Sequence, residues 1–411
     1  MTDSVLLPES YPRLQLNKGA DRRLQRGHRW IYSNEIDNQQ TPLKEITPGA
    51  LVSIVNASGR WLASGYANPH SLIAVRVCSL KQEEAIDATW IERQLQRALQ
   101  LRQRLFDHTC YRLVHAEGDG LPGLIVDRFD DTLVVQINTA GIEQLQSVIV
   151  DKLVALLQPQ CIHLRNLGKA RELEQLELFQ KTVYGEMPDR VTVKEGDAVL
   201  QVPVETGQKT GWFFDHSPNR LQLRHLVASF KSASVLDVYC YTGAWAVQAG
   251  LGGAASLTLI DSSADAMALA AANLDANAAL MPQTVQRQQL QGDATTHLRA
   301  LQQQEQRFDV VVLDPPAFIK RKKDLANGQR HYLLNARLAL SLLKPDGLLY
   351  FASCSQALSQ EDLVGCLQEA ARREKRQVQL LGYLSQGPDH PVPVAMPETR
   401  YLKGVLAVVV D

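Results

Sequence analysis

From about Val191 to the end of the chain, short uninterrupted apolar runs recur, each followed by a stretch with helical spacing. The runs are Ala233 to Val238, Leu257 to Ile260, Val310 to Leu313 and Leu348 to Ala352. A strand that is apolar throughout, rather than at alternate positions, is buried on both faces, and helices between such strands supply the crossovers that parallel pairing requires. The pattern therefore predicts an α/β fold built on a mostly parallel sheet covered on both sides. Sheets of this kind bind ligands at the carboxyl ends of their strands, so the residues that end each run are the ones to read for chemistry.

A chain of 411 residues exceeds one compact core of ordinary size. The first stretch, 1–85, holds short alternating runs such as Leu51-Val52-Ser53-Ile54-Val55, broken by Pro48-Gly49 and Ala57-Ser58-Gly59, and predicts a small β-rich module. Ala88 to Leu105 places Ile91, Leu95, Leu99, Leu101 and Leu105 at helical spacing and opens a small α/β unit over 86–190. That unit continues through strand-like Leu124-Ile125-Val126 and Thr132 to Ile137 and a helix from Ile142 to Leu157. The third unit is 191–411.

Composition excludes several classes. With 45% hydrophobic and 21% charged residues, neither disorder nor a fibrous build is indicated. Six scattered cysteines without a C-x-x-C pair argue against a zinc site or a disulfide framework, so no metal is expected. No leader pattern and no apolar stretch of membrane-spanning length occurs, and the expectation is a cytoplasmic protein with no membrane partner. Net charge is −1, so binding of nucleic acid would rest on local patches.

Val235-Leu236-Asp237-Val238-Tyr239-Cys240-Tyr241-Thr242-Gly243 reads as a strand, a glycine turn and a helix start. Glycine lets backbone approach a ligand closely, and the helix N-terminus offers unpaired N–H groups. The dinucleotide pattern G-x-G-x-x-G is absent, which disfavours a pyrophosphate ligand. Asp261 ends the next strand 24 residues beyond Asp237, where a carboxylate can accept from ribose hydroxyls. Asp293, in Gln291-Gly292-Asp293-Ala294, is placed to reach an adenine amino group. A helix N-cap would use the same residue type at each of these positions.

The run ending Leu313-Asp314-Pro315-Pro316-Ala317-Phe318 holds a carboxylate beside two ring-stiffened residues, which would fix Asp314 at the pocket edge. The run ending Ala352-Ser353-Cys354-Ser355 presents a cysteine. Pyrimidine C5 is a poor nucleophile until a thiolate adds at C6, so Cys354 is the candidate for covalent catalysis; a small buried hydrophobe is the other reading. The base that removes the C5 proton is open between Asp314, His390 and Glu398.

In this order the motifs resemble those of the class I S-adenosylmethionine-dependent methyltransferases, over roughly Val191 to Asp411. The resemblance implies a Rossmann-like domain with a mostly parallel seven-stranded sheet. It implies S-adenosylmethionine held by Asp237, Tyr241, Thr242, Gly243, Asp261, Ser262, Asp293, Ala294, Asp314 and Pro315. Upstream, in Gln208 to Arg220, aromatic residues including Phe214 could wall the adenosine site, with Lys209 and Asp215 facing cofactor or substrate.

Basic clusters flank this machinery. Lys320, Arg321, Lys322 and Lys323 follow the Asp-Pro-Pro loop, while Lys18, Arg22, Arg23 and Arg29 precede or interleave with Trp30 and Tyr32. Both suit phosphate contact, and the second also suits base stacking, although solvated charges over core aromatics would read identically. From end to end the chain is similar to the 23S (large-subunit) ribosomal RNA cytosine-C5 methyltransferase family, which has an N-terminal PUA RNA-binding domain and a small α/β middle domain. Arg26 to Ile36, His115 to Arg128, Gln208 to Arg220, Asp237 to Gly243, Asp314 to Phe318, Ser353 to Ser355 and Pro397 to Lys403 carry the likeness. It implies methyl transfer to cytosine C5 with ribosomal RNA as partner, and leaves a homodimer open. The Asp314 loop lacks the cysteine of two-cysteine cytosine enzymes and has the Asp-Pro-Pro of uracil-C5 enzymes. Uracil-C5 or purine-nitrogen methylation, or an RNA-binding assembly factor without turnover, are therefore the rival expectations.

Overall fold

The computed structural model describes residues 10–411 apart from 205, 206, 208–210, 283, 284 and 320. The chain divides into two compact units, one of residues 192–202, 213–387 and 400–411, the other of the remaining chain, including 203–212 and 388–399.

The first of these carries a seven-stranded sheet of β1 (Ser234–Val238), β2 (Ser256–Asp261), β3 (Gln286–Gln291), β4 (Phe308–Leu313), β5 (Leu343–Ser353), β6 (Val378–Ser385) and β7 (Lys403–Val409). Their order is β3-β2-β1-β4-β5-β7-β6. The first five run parallel, and β7 is antiparallel to both β5 and β6. Strand order thus reverses at β1, and the loops after β1 and β4 open at the switch point where such sheets bind ligands.

Period-two alternation assigns the faces. Leu236 and Val238 of β1 join a core with Leu298 of helix Ala294–Gln303, Tyr332 and Ala336 of helix Leu325–Leu342, and Leu363 and Leu367 of helix Gln360–Glu374. Between them Asp237 turns the other way and accepts from the N–H of Ala246, in helix Ala244–Leu251. A two-stranded ribbon, Val191–Glu195 and Ala198–Val202, is clamped to that side by two asparagines: Asn273 bonds Gln201 N–H, and Asn277 bonds Val199 N–H and C=O. Glu195 of the ribbon is buried and takes a two-pronged ion pair from buried Arg220, with N–O distances of 2.8 and 2.5 Å.

The other unit contains two five-stranded sheets. One has the order Arg13–Gln15, Leu51–Val55, Trp61–Ala67, Ile73–Ser79, Trp30–Tyr32. The second has the order Phe179–Gly185, Cys161–Asn166, Thr132–Ile137, Leu124–Phe129, Cys110–His115, and packs with helix Ala88–Leu105 around Trp90, Ile91 and Leu95. The single helix expected from Ile142 to Leu157 is instead two pieces, Ala140–Gln144 and Gln146–Leu157, broken at Leu145, whose ψ of 7° leaves the helical range. Asp389 belongs to this unit: its carbonyl accepts from wholly buried Arg102 and its carboxylate from Arg112 N–H. Among the described residues no helix is long and apolar enough to cross a membrane.

Removing one member of a buried ion pair leaves the other charge uncompensated, at a cost of about 3–5 kcal/mol. Arg220→Met is therefore expected to lower the urea midpoint strongly, with a loss in that range from the equilibrium unfolding curve and more than for Arg224→Met, whose partner Asp197 is exposed.

Candidate active site

Register places the expected groups along one edge. Asp237 pairs across to Leu259 on β2 and Val312 on β4, and Leu313 pairs to Phe351 on β5. Asp261 closes β2, Asp314 follows β4, Cys354 follows β5, and Asp293 lies two residues past the end of β3. The carboxyl ends of five adjacent parallel strands thus carry all four carboxylates and the thiol.

The loop after β1 is forced into an unusual path. Tyr239, Tyr241 and Gly243 take φ values of +65°, +47° and +77°. Two of these are not glycine, and left-handed backbone costs such residues about 1–3 kcal/mol each. Hydrogen bonds offset that cost: Asp261 accepts from Tyr241 N–H at 3.0 Å, Asn273 donates to Thr242 C=O at 2.9 Å, and the Tyr239 hydroxyl donates to Asn335 at 3.0 Å. At Gly243 a Cβ would stand 2.9 Å from the Ala270 Cβ, so glycine is required by space as well as by φ.

Two buried oxygens of this loop have no partner among the described residues, Oδ1 of Asp237 and Oγ1 of Thr242. Buried polar atoms are nearly always paired, so two unsatisfied ones at the end of one strand make this turn the candidate place for a ligand's polar groups. Burial pushes the Asp237 carboxyl up to about 8, against the pull of Ala246 N–H, and the nearby charges of Asp314 and Asp261 push the same way. At that value the acid is largely neutral at pH 7, and a cation placed beside it would favour its ionised form.

Asp314 behaves oppositely. Burial raises its pKa, but His216 and Trp245 outweigh burial and hold the carboxyl below its ordinary value. Trp245 Nε1 donates to Oδ2 at 3.2 Å and His216 Nε2 stands 3.3 Å from Oδ1. On the far side of the imidazole Asn219 Nδ2 lies 3.2 Å from His216 Nδ1, which fixes the ring against Asp314. An ionised Asp314 accepts hydrogen bonds and has no proton to give. Neither His216 nor Trp245 had been assigned a role from sequence; both lie within or beside stretches singled out there.

The serines beside Cys354 are anchors. Ser353 and Ser355 are fully buried. The Ser353 hydroxyl donates to the Tyr332 hydroxyl at 2.7 Å, Tyr332 lies 2.9 Å from Ser355 Oγ, and Ser355 Oγ accepts from Ile319 N–H at 3.2 Å. Ile319 belongs to the Asp-Pro-Pro loop, so one network of hydroxyls ties the cysteine turn to the aspartate turn. Cys354 itself is half-buried.

The remaining expected residues divide. Asp215 is buried and accepts from the Tyr401 hydroxyl, Phe214 is buried, and Ser262 is exposed. Asp293 is exposed, and its Oδ1 caps the following helix by accepting from Thr296 N–H at 2.8 Å; burial of Ala294 follows from that helix start. Arg321 and Lys323 are exposed, with Arg321 paired to Asp324 at 3.3 Å. Lys209, Lys320 and the Lys322 side chain lie outside the described residues. In the N-terminal unit Lys18 and Arg22 are exposed, whereas Arg23 is spent on His28, Glu35 and the face of Tyr32, and Arg29 is half-buried. Trp30 is engaged by Glu117 at 2.7 Å, so the aromatics expected to stack on bases are committed to internal contacts. His390 bonds Asp389 at 2.8 Å and Glu398 bonds His28 at 2.6 Å, which engages both alternative bases within the N-terminal unit.

Comparison with known proteins places this geometry. Residues 14–80 match the family described as PUA-like domain, and residues 220–383 the family described as conserved hypothetical protein 95. A protein from Streptococcus mutans described as a SAM-dependent methyltransferase superposes with a TM-score of 0.80 at 20% identity, covering 97% of this chain and 100% of its own. At that identity the likeness bears on fold, and the fold is a PUA-like N-terminal domain with a class I methyltransferase domain. The ribosomal RNA large subunit methyltransferase I of Klebsiella pneumoniae is 35% identical over 408 residues, 98% of each chain. That of Shewanella denitrificans is 37% identical over 400 residues, covering 96% of this chain and 98% of its own. With such identity sustained from end to end, the chain belongs to the family of the ribosomal RNA large subunit methyltransferase I proteins.

Proposed function

We propose that this protein methylates C5 of a cytosine in large-subunit ribosomal RNA, using S-adenosylmethionine, with Cys354 adding covalently to C6 of the ring. The observation that carries this reading is the meeting, along one sheet edge, of two unsatisfied buried oxygens in the β1 loop with a cysteine pinned by hydrogen-bonded serines. The division into an RNA-binding module over 1–85, a middle unit over 86–190 and a catalytic domain over 191–411 belongs to the same proposal, as does a cytoplasmic location.

The residues fit the cofactor. Asp237 Oδ1 and Thr242 Oγ1 are buried acceptors suited to the ammonium and polar atoms of an amino acid. Tyr241 and Gly243 present backbone beside them, Asp261 and Ser262 suit ribose hydroxyls, and Asp293 with Ala294 stands where the base would lie. Phe214 and Asp215, with Asp314 and Pro315, complete the wall. The bound cofactor supplies an electrophilic methyl group on a sulfonium.

For the pyrimidine, the Cys354 thiolate forms a bond to C6 and the C5–C6 electron pair becomes nucleophilic at C5. After C5 is methylated, a general base at the strand-end edge takes the C5 proton, the double bond reforms and the thiolate leaves. Ionised Asp314 suits the exocyclic amino group of cytosine and would repel the carbonyl oxygen that uracil carries there, which favours cytosine over the uracil alternative. Of the cations singled out in the sequence, Lys18, Arg22, Arg321 and Lys323 are exposed and open to RNA phosphates.

Cys354→Ala is expected to abolish formation of 5-methylcytidine, read by nucleoside mass spectrometry after incubation with large-subunit RNA and S-adenosylmethionine. Undiminished product, or a methylated purine or uridine from the unaltered protein, would refute the assignment. Asp237→Asn is expected to cost at least tenfold in S-adenosylmethionine affinity by calorimetry while stabilising the fold. The sign follows from a folded pKa raised to about 8: the wild-type contribution is present in acid and lost as pH rises from about 4 to 8. The stability advantage of Asp237→Asn should therefore grow across that window, by at most about 1.4 kcal/mol per pH unit, in chemical unfolding at several pH values.

A further inference from the structure

Lys403 is the first residue of β7 and lies opposite Ser353 of β5 on one side and Ser385 of β6 on the other. It is 6% exposed. Among the described residues its ammonium enters no hydrogen bond and no ion pair. Lysine is almost never buried to this degree unless its charge is matched, so an unmatched one calls for an anion. Its charged neighbours are the Cys354 thiol and the Arg400 guanidinium. The ladder sets the backbone of Lys403 beside Ser353, one residue before the turn at Cys354, and the long lysine side chain brings its ammonium within electrostatic reach of the thiol.

We propose that Lys403 is the positioning residue that keeps the Cys354 thiol ionised, its ammonium and the thiolate forming a buried ion pair ready to attack the pyrimidine. This rests on the reading of Cys354 as the nucleophile. A cation beside a cysteine stabilises thiolate over thiol, which is how reactive cysteines are made at neutral pH. The coupling is reciprocal: burial draws the Lys403 ammonium below its ordinary range, the cysteine's negative charge opposes that, and Arg400 adds to it. Among the described residues Tyr332 is also near the thiol; burial keeps its hydroxyl above its ordinary value, so it stays neutral and brings no competing negative charge. Its hydroxyl is in turn occupied by Ser353 and Ser355.

The test is the pH dependence of Cys354 alkylation in the full-length protein. Iodoacetamide is added at a series of pH values, and peptide mass spectrometry reads Cys354 separately from the other cysteines. Lys403→Met keeps an unbranched chain of similar length and removes the charge; its alkylation midpoint is expected to rise by at least about one pH unit, a rate loss of about tenfold near neutral pH. Lys403→Arg is expected to return the midpoint to within a few tenths of wild type, and thermal melts of both variants report whether they fold. In methylation assays the acid limb of kcat should move with the alkylation midpoint while KM holds. An unchanged midpoint in Lys403→Met overturns the proposal whatever its methylation activity. Full methylation by Cys354→Ala would instead remove the nucleophile assignment and leave the alkylation shift standing, so the two failures are read apart.

Discussion

The arrangement turns on a carboxylate that the fold buries and only half satisfies. Asp237 is the last residue but one of β1, where parallel β2 and β4 flank it and helix Ala244–Leu251 covers it. Its outer oxygen is used by a helix N–H; its other oxygen is left to a ligand. That is a costly group to build into a core, and the cost makes sense as affinity held in reserve for a cation. The loop beyond it is shaped to the same end, with left-handed tyrosines held in place by Asp261, Asn273 and Asn335.

Two neighbouring carboxylates on the same edge are held in opposite states by their surroundings. Burial pushes both up; at Asp237 a single backbone donor does not offset it and two nearby acids add to it, whereas at Asp314 His216 and Trp245 outweigh it and hold the carboxyl low. The contrast separates a group tuned to respond to a ligand's charge from one that is a permanent acceptor. The hydroxyl relay through Ser353, Tyr332, Ser355 and Ile319 then ties the cysteine turn to the Asp314 turn with bonds of 2.7 to 3.2 Å, so the two move as one piece.

Much of this was legible in the sequence because parallel strands buried on both faces leave long apolar runs, and each run ends where a ligand can be met. Ala88–Leu105 was legible for the complementary reason, a helical stripe over eighteen residues. Strand β3 was not: Gln-Arg-Gln-Gln-Leu-Gln lies at a sheet edge, exposed along nearly its whole length, and an edge needs no apolar signature. The roles of His216, Asn273 and Ser355 were hidden because each depends on a partner far along the chain. The same holds for Asp389, which sits in sequence among catalytic-domain elements yet packs with Arg102 and Arg112. The basic-aromatic interleaving around Trp30 was read too generously, since Glu117 and Arg76 from elsewhere in that unit claim the ring.

The covalent step is the claim on which the functional account stands, and a trap reads it directly. A large-subunit RNA fragment carrying 5-fluorocytidine has fluorine where the departing proton should be, so addition and methylation can proceed but release cannot. Incubated with the full-length protein and S-adenosylmethionine, it should yield a protein–RNA adduct stable to denaturation, with the RNA mapped to Cys354 by peptide mass spectrometry. An adduct on another residue, or no adduct from a preparation that methylates the unfluorinated RNA, would contradict the account.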